Sequence, residues 1–197
     1  MCQYSQMKSL PKSLEHKTFT LGQAVSEGLS KYDVGLLLEQ EIVERVTRGI
    51  YRKSDLGVSV DPEEIYRVAT LQCGKDSAIC LLSALEYYGL TDSIPKKIWI
   101  LVPHSKRVVA NNLKLVRCRS PKWDEGIAWH KTYSMTSIER TLVECLLYKR
   151  MVGTDVALRA LKDALQKKVT TLGKIYNTAK NLAVEQRIRS VIEVLSA

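Results

Sequence analysis

The sequence predicts an α+β, helix-rich protein in two parts: an N-terminal winged helix-turn-helix over residues 1–56, then a mixed α/β domain with a small sheet and helices over residues 57–197. Three observations carry that expectation. Two short helical stretches follow one another closely and run straight into a basic hairpin, patterning lapses over residues 54–62, and the remaining chain mixes β-rich runs with capped helical ones. At 197 residues, 45% hydrophobic and 26% charged, the chain is long enough to bury roughly 70% of its unfolded surface.

Residues 1–17 are polar, and Pro11 limits any helix there to a short or frayed one. An extended piece follows over 18–21. Leu21, Ala24, Val25 and Leu29 recur at helical spacing with Gly28 near the end, which predicts a helix of about two turns. Ser30 and Asp33 form a capping arrangement that starts a second helix at Lys31, with Val34, Leu37, Leu38, Glu41 and Ile42 on its inner face to about residue 42. Residues 43–53, VERVTRGIYRK, then alternate and turn at Gly49, which predicts a hairpin. Two tightly connected helices and a basic hairpin make a helix-turn-helix with a wing.

The segment SDLGVSVDP holds the expected domain boundary and hinge. Pro62 opens a helix that runs to Cys73, and another is expected over 77–88, ended by Gly89. Residues 97–102, 113–119 and 127–132 read as strands, rich in Ile, Val, Leu and Trp. Thr136 and Glu139 read as a capping box that starts a helix to about residue 150, and further helices are expected over 156–166, 171–180 and 184–195.

Several function classes leave no trace. No stretch approaches the roughly 18 apolar residues of a membrane span, and residues 1–14 lack the apolar segment and cleavage site of a secretory leader. The expectation is a soluble, cytoplasmic protein. Its five scattered cysteines, Cys2, Cys73, Cys80, Cys118 and Cys145, form no paired CxxC and read as reduced, mostly buried thiols. His16, His104 and His130 are isolated, so no metal site and no cofactor is expected. No phosphate loop, paired-carboxylate motif or nucleophile elbow is present, Glu139 and Arg140 read as cap and surface groups, and no enzyme is expected.

Thirty basic against twenty-one acidic side chains give a net charge of +9, which points to an anionic partner, nucleic acid above all. Residues 1–60 hold 8 bases and 7 acids, so most of the excess lies beyond them. In the winged segment, Ser30, Lys31, Tyr32 and Leu36 are the candidates to approach base edges, and Arg45, Arg48, Arg52 and Lys53 the candidates for phosphate contacts. Acidic residues around the second helix weigh against base readout, and winged folds also serve as protein-binding scaffolds. A second basic set, Lys96, Lys97, Lys106, Arg107, Lys114, Arg117, Arg119 and Lys122, lies on and between the expected strands with no acid among them. Placed on adjacent strands these bases would form one basic face, although lysines guarding a sheet edge leave the same pattern. Trp99, Trp123 and Trp129 fall in the same region, where base stacking is one reading and core packing another, the latter fitting Trp99 best. A C-terminal cluster, from Arg159 to Arg189, reads equally as exposed helix faces.

Three stretches resemble the AbiEi-type antitoxin family, and together they cover about half the chain. Residues 18–53 resemble its N-terminal winged helix with the Arg-Gly-Ile-Tyr wing turn, residues 83–103 its Ser-Ala-Leu helix and following Ile-Pro strand entry, and residues 133–165 its capped helix, Val-Gly turn and Ala-Leu-rich helix. The resemblance implies a bacterial, phage-defence setting of the type IV toxin-antitoxin kind. It implies an antitoxin that represses its own promoter through the winged helix and counters a nucleotidyltransferase-type toxin through the second domain, acting on the toxin or on its target. The rival expectation is a protein- or RNA-binding module in which the winged helix is only scaffold.

Overall fold

The structure, a computed structural model, describes residues 9–54, 62–120 and 122–196. The chain divides into two compact units, Met1–Gln72 and Cys73–Ala197. In the first, a single turn of 3₁₀ helix at Lys12–Leu14 precedes strand β1 (Phe19–Thr20), helix α1 (Leu21–Ser26), helix α2 (Lys31–Glu39), strands β2 (Val43–Thr47) and β3 (Ile50–Lys53), and helix α3 (Glu64–Cys73). Among the described residues the three strands form one antiparallel sheet in the order β1-β3-β2. This is a winged helix-turn-helix arrangement.

Local chemistry fixes the two helices. The Thr20 hydroxyl accepts from the Gln23 amide while the Gln23 side chain accepts from the Thr20 amide, and Ser30 and Asp33 repeat the reciprocal pair at the start of α2. Gly28, at φ +88°, closes α1: its amide bonds to Val25 and that of Leu29 to Ala24. The same closure ends α2 earlier than residue 42. The Glu41 amide bonds to Leu38 and the Ile42 amide to Leu37, with Glu41 at φ +56°. Glu41, read as the polar member of the inner face, is therefore the exposed residue at which the chain leaves the helix for β2. Leu10, Leu14, Phe19, Ala24, Leu29, Val34, Leu37 and Val43 form the core beneath.

The boundary and hinge expected around residues 55–61 lie outside the described residues. The structure's division falls later, so α3, read as the opening of the second domain, goes with the first unit in all but its last residue. Gln72 donates to the Thr47 hydroxyl (3.2 Å) and the Thr18 hydroxyl donates to Glu64, tying both ends of α3 to the winged sheet.

The second unit contains β4 (Ala78–Ile79), α4 (Leu81–Tyr87), β5 (Ile98–Pro103), β6 (Leu113–Cys118), β7 (Ile127–Trp129), β8 (Ser134–Thr136), α5 (Ile138–Leu147), α6 (Lys149–Val152), α7 (Thr154–Gln166), α8 (Leu172–Asn181) and α9 (Glu185–Ser196). Its sheet is mixed, in the order β6-β5-β4-β8-β7 among the described residues, with β5/β6 and β4/β8 parallel. Trp99, Leu101 and Val116 point from the sheet into a core shared with α4, α5, α7 and α8, supplied by Leu85, Leu142, Leu146, Ala160, Leu161 and Ile175. The expected helix over 77–88 is thus a central strand followed by a shorter helix. Only Cys80 separates them, and buried Leu81, the first residue of the helix, takes φ +48°. The start of α5 also differs: Thr136 ends β8, with its hydroxyl near Ile79 O and Thr141 Oγ1, and the cap is Ser137, whose hydroxyl accepts from the Arg140 amide.

Candidate nucleic-acid interface

The outer face of α2 is open to solvent. Lys31, Tyr32, Gly35, Leu36 and Glu39 line a shallow groove of about 570 Å³ there. Tyr32 is 70% exposed, a large ring left in water at the first turn of the helix. The Ser30 hydroxyl accepts from the Asp33 amide at 3.1 Å and so caps the helix, a bond that does not use its own O–H.

Gly35 was missed by sequence reasoning. A glycine inside a helix costs roughly 0.5–1 kcal/mol relative to alanine. Here neither packing nor backbone geometry requires it: its φ lies outside the left-handed region, and a Cβ at this position would meet nothing within 4 Å. A glycine here leaves the helix backbone open to close approach from outside. The signal was visible as a lone glycine in an amphipathic run.

The wing is β2, the Arg48–Gly49 turn and β3, with Gly49 at φ +78°. Arg48 stands exposed at the tip. Arg45 is exposed too, with its Nε 3.4 Å from the Thr47 carbonyl. Arg52 lies directly across from Glu44 and is ion-paired to it, and half-buried Lys53 pairs across from Val43. The four wing bases are therefore unequal, and Arg48 is the most accessible cation for a phosphate. Taken with α3, the winged unit holds 9 bases and 10 acids, while the second unit holds 21 and 11. The long-range attraction for a polyanion therefore resides in the second unit.

There the expected single basic face is divided. Lys114 and Arg117 are three residues apart on β6, and a strand's period of two sends them to opposite sides of the sheet. The Lys114 ammonium sits 3.7 Å over the Trp99 ring on the helix-covered side. Arg117 donates to the Lys106 carbonyl (2.7 Å), and the Lys106 ammonium is 3.6 Å from Asp76. Lys96, Lys97, Arg107, Arg119 and Lys122 are exposed.

Arg140 is not a surface group. It is 1% exposed. Its Nε donates to Glu144 Oε1 (3.0 Å) and its Nη1 to the carbonyls of Trp123 (2.5 Å) and Glu125. Burial pushes the Glu144 carboxyl up, with Arg140 opposing. The i,i+4 spacing of the pair was legible, but its burial was not. Of the cysteines, Cys73, Cys80 and Cys145 are buried and free, with desolvation raising their thiols, Cys73 to about 11; Cys118 is half-buried and free, and Cys2 lies outside the described residues.

The fold has a solved counterpart. The chain is similar to the RV2827C protein from Mycobacterium tuberculosis, with a TM-score of 0.56 and 16% identity, over 83% of this chain and 66% of that one. The match thus spans just under two thirds of that protein's own length, and at this identity it shows the fold alone. No protein-family model matches the chain, and no curated protein matches it. Among the described residues no group of three or more His, Cys, Asp or Glu is placed to hold a metal ion, and no helix is long and apolar enough to cross a membrane.

Proposed function

We propose that the protein is a DNA-binding transcriptional autorepressor and antitoxin of the AbiEi type, countering a nucleotidyltransferase-type toxin. The observation that carries the reading is the open face of α2, where Lys31, Tyr32, Gly35 and Leu36 lie together, in a unit whose wing tip carries an exposed Arg48. A duplex seated there takes α2 into the major groove, with Tyr32 and Leu36 against base edges, Gly35 allowing close approach, and Arg48 on the backbone. The positive second unit adds sequence-independent attraction. The alternative is a protein- or RNA-binding module, and the slight acidic balance of the winged unit favours it.

The test is a reporter under the gene's own upstream region, together with co-expression of any nucleotidyltransferase encoded beside it. The parent represses and protects. Arg48→Ala loses repression, yet still protects when expressed from a foreign promoter. A parent that does neither overturns the reading, and protection without repression favours the scaffold alternative.

A further inference from the structure

Trp123 and Trp129 take no part in the winged unit, and the geometry around them is specific. Trp129 ends β7, an outer strand of the sheet among the described residues, and is 61% exposed. Trp123, half-buried, meets it edge to face, with ring centroids 6.4 Å apart and planes at 80°. One indole supports the other and leaves it largely open to solvent.

The loop that presents Trp123 is built with unusual investment. Arg140, though buried, donates to the Trp123 and Glu125 carbonyls, and the Ser137 amide donates to the Gly126 carbonyl at 2.8 Å. Gly126 sits at φ +69°, and a Cβ there would come within 3.2 Å of the Arg140 Cβ. Glu144, the partner of Arg140, keeps Oε2 without a hydrogen-bond partner among the described residues. Burying a guanidinium and leaving a carboxylate oxygen unsatisfied are both costly. What they secure is a fixed backbone under Trp123, and hence a rigid platform beside Trp129.

The surroundings select the ligand. Lys122 precedes Trp123 and Lys131 follows Trp129 by two residues, both exposed. Of the two acids in the loop, Glu125 is held by the Asn181 amide (3.1 Å), leaving exposed Asp124. The whole unit carries ten more bases than acids. An exposed indole with two exposed lysines close to the tryptophan pair in sequence suits an unpaired base with its flanking phosphates. Bases within a duplex are already stacked on both faces and present no such surface.

We propose that this edge of the second unit is a stacking site for single-stranded nucleic acid, Trp129 receiving an unpaired base and Lys122 and Lys131 holding adjacent phosphates. The site belongs to the second unit alone and does not depend on the function proposed for the winged face.

The experiment titrates the full chain into a labelled oligothymidylate and into a duplex of equal length. The parent binds the single strand with quenching of tryptophan fluorescence. Trp129→Ala weakens that binding by about tenfold, within the range known for base–aromatic stacking, and Trp129→Phe recovers most of it. Lys122→Ala with Lys131→Ala lowers the slope of log K against log salt by about 1.4, at about 0.7 per phosphate on single strands. Arg48→Ala leaves single-strand binding unchanged, and Trp129→Ala leaves duplex binding unchanged. Absence of single-strand binding in the parent, or Trp129→Ala binding as tightly as the parent, overturns the proposal. So does a Trp129→Ala variant that only shifts sedimentation from dimer to monomer, which makes the edge a contact between copies.

Discussion

Replacing Gly35 with alanine separates stability from recognition at one atom. The glycine sits mid-way along α2 with a backbone any L-residue adopts, and the added Cβ has open space around it. The variant should therefore gain about 0.5–1 kcal/mol from helix propensity and reduced unfolded-chain entropy. In a unit of this size that corresponds to a rise of roughly 2–8 °C in midpoint. Calorimetry can follow it, because the three tryptophans, Trp99, Trp123 and Trp129, all belong to the second unit. A transition that moves while tryptophan fluorescence does not is the winged unit's own. The same methyl narrows the groove on the outer face, so affinity for the cognate duplex should fall by about tenfold, comparable to the loss of one base contact. Loss of stability would show that packing or backbone demands the glycine. Unchanged affinity would show that nothing approaches α2 there.

Arg140→Met should cost the second unit about 3–5 kcal/mol in denaturant melts read by tryptophan fluorescence, because it strands a buried carboxylate and two carbonyls; Arg140→Met with Glu144→Leu should recover part of that, and a single variant losing under about 1 kcal/mol contradicts the burial argument. Ser30→Ala should cost the winged unit about 1 kcal/mol by removing the cap on α2, measured by calorimetry, and a neutral result means the reciprocal bonds with Asp33 are unimportant. Burial raises Cys73 in the folded state from 9.0 to about 11, so its contribution is intact below pH 9 and is lost as pH rises from 9 to 11, at about 1.4 kcal/mol per pH unit. Cys73→Ala should accordingly lose less stability than the parent between pH 8 and pH 11, and parallel losses would refute the shift.

Much of the winged unit was legible because its signals are local. The Ser30–Asp33 cap, the Gly28 stop and the Gly49 turn each act within a few residues, and the structure places them as their chemistry dictates. The end of α2 was misjudged because Glu41 occupies a left-handed position more often filled by glycine or asparagine. The second unit was harder to read. Its central strand β4 is two residues long and leads almost at once into a helix, so its apolar residues continued the helical pattern. Strand β8 is three residues long and was hidden in the approach to α5. Candidate residues fared similarly. Exposure of Lys31, Tyr32 and Arg48 followed from helix phase and turn position, and the opposed faces of Lys114 and Arg117 from the strand's period of two, whereas the Glu44 partner of Arg52 depends on register. Register is set by tertiary pairing and cannot be read from a run of charges.

The central claim is that α2 reads duplex DNA, and the most direct measurement is affinity for the gene's own upstream duplex against a shuffled duplex of the same composition, across salt, for the parent and Tyr32→Ala. The account predicts that the parent prefers its own sequence by at least about tenfold, with a steep salt slope of about −0.9 per phosphate contacted, and that Tyr32→Ala loses the preference while keeping the slope. No preference in the parent, or a preference that survives in Tyr32→Ala, would contradict it.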